Sequence, residues 1–440
     1  MTTLDRRPPV VPVARPLLPT ADALLPYLRA VDARRVYSNW GPLNARLEER
    51  LSARLGGASV VTASSATSAL TCALRAVLED RPAEARGGLC LMPSWTFVAT
   101  AHAALAAGLT PCFLDVDEAD WALTPEIVRR EILAGLGRPG SGAKGGAVVS
   151  AVVAVAPFGR PVAPGPWDEF AARTGVPVVL DAAAAFDALE VGRAPAVVSL
   201  HATKTVCAGE GGFVATRDAD LARRVKRVAN FGFFGARQAE VAGANAKLSE
   251  YHAAVGLASL DAWPTRRGEL ARAAARLRAA LEPLGLRFAD GFGGAWVASS
   301  CVARLPRSAA PVGAAEAAIG LGLRGVATRA WWGAGCHTSP AFEGLPRRNS
   351  AADGDALPVT ARLARETIGL PFACDLSERE VAQVRDALAE VLGTSAQPGA
   401  PPPRRRAAAP LRPHAAAAAT RQARPAAPQR LAASATMAAV

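Results

Sequence analysis

This chain lacks long apolar runs, paired cysteines and, in its C-terminal tail, acidic residues, and each absence narrows the class of protein it can be. No stretch approaches the roughly 18 apolar residues of a membrane-spanning helix, and no charged segment at the N-terminus leads into an apolar one; neither a span nor a secretory leader is expected. The seven cysteines are odd in number, scattered, and form no Cys-x-x-Cys pair. That argues against a disulfide framework or a zinc site and fits small core residues in a reducing cytoplasm. From residue 397 onward there is no Asp or Glu, whereas seven arginines stand among alanines and prolines. Most of the formal charge of +12 therefore lies in a tail with too little apolar surface to fold, and the moderate positive charge left on the body suits phosphorylated anions without calling for a nucleic acid.

Half of the 440 residues are apolar, enough for a large core and two domains with extensions. Short apolar runs at 89–92, 111–114, 147–156, 176–180, 196–200 and 212–215 alternate with helical periodicity. This pattern predicts an α/β fold whose mostly parallel sheet carries helices on both faces and its site at the strand ends. Residues 1–19 read as a loose extension, 20–260 as a large domain, 261–395 as a small C-terminal α/β domain and 396–440 as a disordered tail. A glycine-rich surface loop is expected at 137–146, a long helix after Glu250, and an amphipathic helix at 377–392.

The chemistry concentrates around Lys204, one of only four lysines. It follows the apolar run at 196–200, with Ser199 five positions before it, and precedes a glycine-rich turn into a second apolar run. A lysine among apolar neighbours tends toward the neutral amine that attacks an aldehyde, which makes it a candidate Schiff-base lysine. Asp181 ends another apolar run, where a carboxylate suits a protonated pyridine nitrogen but would equally cap a helix. At 60–74 a strand, a small-residue turn and a helix offer amides and hydroxyls to a phosphate, with no Walker lysine to indicate a nucleotide loop. Together the three pieces point to pyridoxal 5'-phosphate.

Five blocks in order extend that reading: Tyr-Ser-Asn-Trp-Gly-Pro-Leu at 37–43, Ser-Ala-Thr-Ser-Ala-Leu at 65–70, Pro-Ser-Trp-Thr-Phe-Val-Ala-Thr at 93–100, Ser-Leu-His-Ala-Thr-Lys at 199–204, and Gly-Ala-Asn-Ala-Lys-Leu-Ser-Glu-Tyr-His-Ala-Ala at 243–254. From about residue 15 to 392 the chain resembles the nucleotide-sugar aminotransferases of the DegT/StrS family, enzymes of fold-type I. The resemblance implies a three-layer fold, with Lys204 as cofactor lysine and proton shuttle, Asp181 against the pyridine nitrogen, and Phe97 stacked on the ring with Trp95 as its rival. It also implies Thr67, Ser68 and Ser199 on the phosphate, joined by Asn245 of a second subunit in a homodimer with shared sites. Lys247, Arg329 and His337 are candidates for the substrate's anionic groups, while His201, His252 and the Trp331–Trp332 pair fit cofactor or substrate contacts and simple packing equally well.

Two positions depart from the family pattern. Ala184 stands where glutamine is frequent, and Ala66 where glycine is usual in the phosphate turn. The implied activity is transfer of an amino group, with glutamate as donor, to a keto carbon of a nucleotide-linked deoxysugar. A cyclitol aminotransferase, a dehydratase on the same scaffold, and a non-catalytic relative are the alternatives. Dehydratases of the family carry histidine in place of the lysine, so Lys204 speaks against that branch.

Overall fold

A computed structural model describes residues 10–83, 86–136, 148–306, 312–352 and 356–393. The glycine-rich stretch at 137–146 and the basic tail lie outside the described residues. Among the described residues eleven strands form two sheets: β1 (Ser59–Ala63), β2 (Leu89–Pro93), β3 (Thr110–Leu114), β4 (Val149–Val155), β5 (Val178–Asp181), β6 (Ala196–Ser199), β7 (Gly212–Thr216), β8 (Arg287–Phe288), β9 (Cys301–Arg304), β10 (Arg347–Arg348) and β11 (Thr367–Leu370). The large sheet has the order β1-β7-β6-β5-β4-β2-β3-β10, and only β7 runs against its neighbours. The small one, β11-β9-β8, is antiparallel. This is the expected α/β architecture.

Strands of a sheet covered on both faces must be apolar throughout, and β4 reads Val-Ser-Ala-Val-Val-Ala-Val with every residue buried. Its alternate side chains feed two cores. Ala151, Val153 and Val155 meet the helix Ala66–Leu78, while Val152 and Ala154 meet Trp167 and Phe170 on the opposite face. The helix Glu250–Leu281 passes straight through the expected division at residue 260 and packs in a third core with the small sheet. All these elements belong to one compact unit ending at Ala396.

Residues 1–19 are expected to be loose, but within the described part, residues 10–19, several are held in place. Val11 is buried, its amide donates to the Gly325 carbonyl at 2.8 Å, and Val13 accepts from Phe372 at 3.1 Å. Arg15 pairs with Asp375 and Glu380. Composition hid this, because a Pro- and Arg-rich strip can still be held by backbone pairing along a sheet edge.

Two of the sequence blocks meet through one buried acid. Glu250, just inside its own helix, accepts from the amides of Leu43 at 2.8 Å and Asn44 at 2.9 Å. The helix Pro42–Arg54 starts after Gly41 and has no side-chain cap of its own, so Glu250 supplies the missing anion from 207 residues away. Asn44 then donates to the Leu248 carbonyl and accepts from Thr62 at the start of the phosphate turn. The block at 243–254 thus braces that turn.

Candidate active site

Asp181 and Ser199 end the parallel strands β5 and β6, and β1 delivers the phosphate turn at the same edge of the sheet. The turn's helix, Ala66–Leu78, is capped by Ser65, whose hydroxyl accepts from the Ser68 amide at 3.1 Å. Ser68 Oγ also lies 3.2 Å from Ser64 Oγ and 2.8 Å from Ser65 Oγ. Thr67 occupies the first helical turn, and its hydroxyl has no partner among the described residues. Ser199 Oγ accepts from the His201 amide at 3.2 Å and keeps its own proton to donate.

Antiparallel β7 passes beneath this turn, and Gly212 permits the approach. A Cβ there would sit 2.6 Å from the Ala66 amide nitrogen. Glycine is therefore demanded on the strand below the cradle, while the turn itself accommodates alanine at position 66.

Lys204 sits in the loop between β6 and β7, fastened by its amide to the His201 carbonyl at 2.8 Å and by Ala202 to Gly209 at 2.7 Å. Its backbone neighbourhood leaves part of the side chain accessible, yet burial pushes the amine's pKa below its ordinary value, opposed by the charge of Asp181. Asp181 is 6% exposed. Burial raises its pKa, while hydrogen bonds from Thr100 and Ala183 and the charge of Lys204 act the other way. The two groups thus feel each other inside a poorly solvated site, an arrangement common among catalytic ion pairs.

Sequence reading missed what holds Asp181. Thr100 Oγ1 donates to Asp181 Oδ2 at 2.7 Å, and Thr96 Oγ1 lies 2.8 Å from Thr100 Oγ1; both threonines are buried. A threonine in an apolar helix start reads as packing until the fold brings a carboxylate 81 residues away against it. Thr100→Val is expected to lower turnover by about tenfold or more, the worth of one hydrogen bond to a charged group. Losing that donor raises the Asp181 pKa further, so the acid limb of the pH–rate profile should move to higher pH. A valine enzyme with the parent's limb would show that Thr100 only fills space.

Phe97 precedes the helix Val98–Ala106, whose Thr100 bonds Asp181, and is 57% exposed, a large uncovered apolar face. Trp95 is instead buried, 5.4 Å from Trp332 and 6.1 Å from Phe158 in a packed aromatic cluster. Trp332 itself stacks on Phe158 at 3.8 Å, which accounts for it by packing. Asn245 is exposed, although its neighbour Ala246 is buried and accepts from the Ser64 amide at 2.7 Å. His201 bonds Thr203, and His252 bonds its own helix cap Ser249.

The three substrate candidates separate. Arg329 and His337 line one cavity of about 610 Å³, whereas Lys247 lies elsewhere, 4.4 Å over the Phe231 ring. Ala184 contributes its carbonyl beside Gly159, where a Cβ would come within 2.8 Å of it. Another unforeseen residue is Arg266, which is buried, has no ion pair among the described residues, and lines the cavity that contains Lys204.

The donor set fits pyridoxal phosphate: a helix start with hydroxyls for the phosphate, a buried carboxylate, a partly desolvated amine, and an uncovered aromatic face. Among the described residues no cluster of His, Cys, Asp or Glu could hold a metal, and no helix is long and apolar enough to cross a membrane.

Comparison with known proteins agrees with this chemistry. The sequence model of the DegT/DnrJ/EryC1/StrS aminotransferase family matches residues 20–389. A Mycobacterium tuberculosis protein is 30% identical over 87% of this chain and 90% of its own length. The dTDP-3-amino-3,4,6-trideoxy-alpha-D-glucose transaminase of Streptomyces venezuelae is 29% identical over 69% of this chain and 76% of its own. Among solved structures, that of DesI in the presence of its TDP-sugar product superposes with a TM-score of 0.73 at 31% identity, covering 88% of this chain and 93% of that one.

Proposed function

Because the chain belongs to the DegT/DnrJ/EryC1/StrS aminotransferase family, and is thus a pyridoxal-phosphate-dependent sugar aminotransferase, we propose that it moves an amino group from glutamate to a keto carbon of a nucleotide-linked deoxysugar. The observation that carries this reading is the joint placement of Lys204 and Asp181 at the strand ends beside the hydroxyl-rich helix start. Arg266 supports an amino-acid donor bearing carboxylates, since a buried guanidinium without an ion pair favours an anion. Seven free thiols fit a reducing cytoplasm.

In this reading Thr67, Ser68 and Ser199 hold the cofactor's phosphate, Phe97 covers its ring, and Asp181 keeps the pyridine nitrogen protonated. The bound cofactor supplies an electron sink for the donor's α-carbon. Lys204 Nζ takes the proton from that carbon and returns it on the other side of the transfer, a task suited to an amine whose pKa burial has lowered. Thr100 acts one step back, by fixing Asp181.

Asn245 is read as completing the phosphate cradle of a second copy. Its exposure supports this, as do the exposed Phe231 and Phe234 and the exposed Tyr37–Tyr251 stack on the neighbouring blocks. Mixing Lys204→Ala subunits with Asn245→Ala subunits is expected to restore activity that neither has alone, because one site of each mixed dimer keeps both residues. Demonstrated subunit exchange without recovery would refute sharing.

The reading is tested by supplying glutamate and a panel of nucleotide keto-sugars, then following 2-oxoglutarate and product mass. Turnover with free cyclitol ketones and none with any nucleotide keto-sugar would overturn it.

A further inference from the structure

We infer that the cavity of about 610 Å³ between the helices Ala314–Leu323 and Pro358–Glu366 is a diphosphate-binding site built from Arg329, Arg347 and Arg365. It deepens the proposed function and rests on the nucleotide-linked substrate of that reading, whose diphosphate it would receive.

The argument starts from charge. Three guanidinium groups face one space, none has an ion pair among the described residues, and no Asp or Glu occurs in the described lining. Three solvent-exposed cations around one cavity repel one another through screened charge, and an anion bound among them relieves that repulsion. Acids do occur nearby, but their oxygens are engaged. Both Asp115 oxygens serve the start of the helix Pro358–Glu366, accepting from the amides of Val359 at 2.9 Å and Thr360 at 2.8 Å and from the Thr360 hydroxyl at 2.7 Å. Glu131 is taken by the Ser350 amide and hydroxyl, and Glu366 by Arg304.

The field shows on His337. Its Nδ1 lies 2.5 Å from Ser94 Oγ, and burial together with the charge of Arg347 holds its pKa below the ordinary histidine value. Arg347 is thus near enough for its charge to act on His337, against the opposing charge of Asp115.

Shape narrows the ligand. The volume falls within the range of about 300–1,000 Å³ typical of small-molecule sites. The floor is apolar, from Ala318, Leu357, Ala361 and Ile368, while the arginines stand exposed at the mouth. A nucleoside diphosphate matches both parts: a ring to cover the floor, and two phosphates offering oxygens to planar guanidinium forks, which pair with phosphate in bidentate fashion. A bare phosphate would leave the floor open. Arg329 also lies 5.0 Å over the Trp331 ring, which preorganises its side chain.

The diphosphate could belong to the sugar substrate or to a separate nucleotide, and one set of measurements distinguishes them. The full-chain holoenzyme is titrated calorimetrically with thymidine diphosphate and with inorganic pyrophosphate at low and high salt. Saturable, salt-weakened binding, tighter for the nucleotide, is expected, with at least tenfold weaker binding in Arg347→Ala and in Arg365→Ala. Arg365→Lys, which keeps the charge but loses the fork, should fall between and guards against a folding defect in the alanine variants. If the diphosphate is the substrate's own, thymidine diphosphate competes with the keto-sugar and both alanine variants raise KM far more than they lower kcat. If it is a separate nucleotide's, its binding still weakens while the substrate KM stays put. No binding by the parent, or parent-like affinity in both alanine variants, overturns the site. Arginine-dependent binding by a protein that aminates no nucleotide keto-sugar would uphold the site and sink only the substrate reading.

Discussion

Lys204→Ala is expected to lower turnover by about 10⁴-fold or more, since the residue is read as both the cofactor's attachment point and the proton shuttle, and positioned acid–base groups alone contribute about 10²–10⁴-fold. Borohydride treatment of the parent followed by peptide mapping should place the phosphopyridoxyl group on Lys204. The chain makes this a clean measurement, because the only other lysines are Lys144, Lys226 and Lys247. Lys226 lies over the Trp40 ring and Lys247 over Phe231, so each is accounted for by a surface contact. Label on any of these three would displace Lys204 from its role. The cofactor-free protein offers a second check. Burial lowers the Lys204 pKa, so its favourable contribution to stability is fully present only above the ordinary lysine range and is lost as pH falls through the folded-state value. Relative to Lys204→Ala, the cofactor-free parent should therefore gain melting temperature as pH rises.

Asp181→Asn should cost turnover about 10²-fold or more while leaving the cofactor bound, because the phosphate cradle is a separate set of groups. Stability should move the other way. Burial raises the Asp181 pKa, so its favourable contribution exists below the ordinary carboxylate range and is lost as pH rises through the folded-state value. The parent therefore loses stability as pH rises through the folded-state value, and cofactor-free Asp181→Asn, which carries no charge at any pH, should gain on it over that range. Thermal melts across pH 5–8, read beside kcat at saturating cofactor, test both halves. Near-normal turnover would reduce Asp181 to a structural cap, and a large loss of stability at pH 7 would mean that the hydrogen bonds from Thr100 and Ala183 outweigh the burial cost.

These opposed effects are characteristic of a site in which function holds an unfavourable group in place. Thr100 explains how: its hydroxyl, with Thr96 behind it, answers one carboxylate oxygen where all three residues are buried. The same helix start presents Phe97, so one turn of chain both orients the acid and offers the ring face.

The sequence alone determined the alternation of apolar runs and helices, because residues buried on both faces of a sheet must be apolar at every position, and β4 could be read no other way. It also determined the local pieces: a small-residue turn leading into a helix at 60–74, an amphipathic helix at 377–392, and Lys204 five residues after Ser199, since turns and helix starts depend on neighbours a few positions apart. Only the tertiary structure set Phe97 and Trp95 apart in exposure, two residues apart with similar surroundings in the chain. Burial against Phe158 and Trp332 uses up Trp95 and leaves Phe97 open. It alone docked Val11 beside Gly325, set Glu250 on a helix start 207 residues away, brought Thr100 to Asp181, and parted Lys247 from Arg329 and His337. The physical reason is common to all of these: a hydrogen bond or charge contact between distant segments leaves no periodic trace in sequence, because its partner is chosen by how the strands and helices pack.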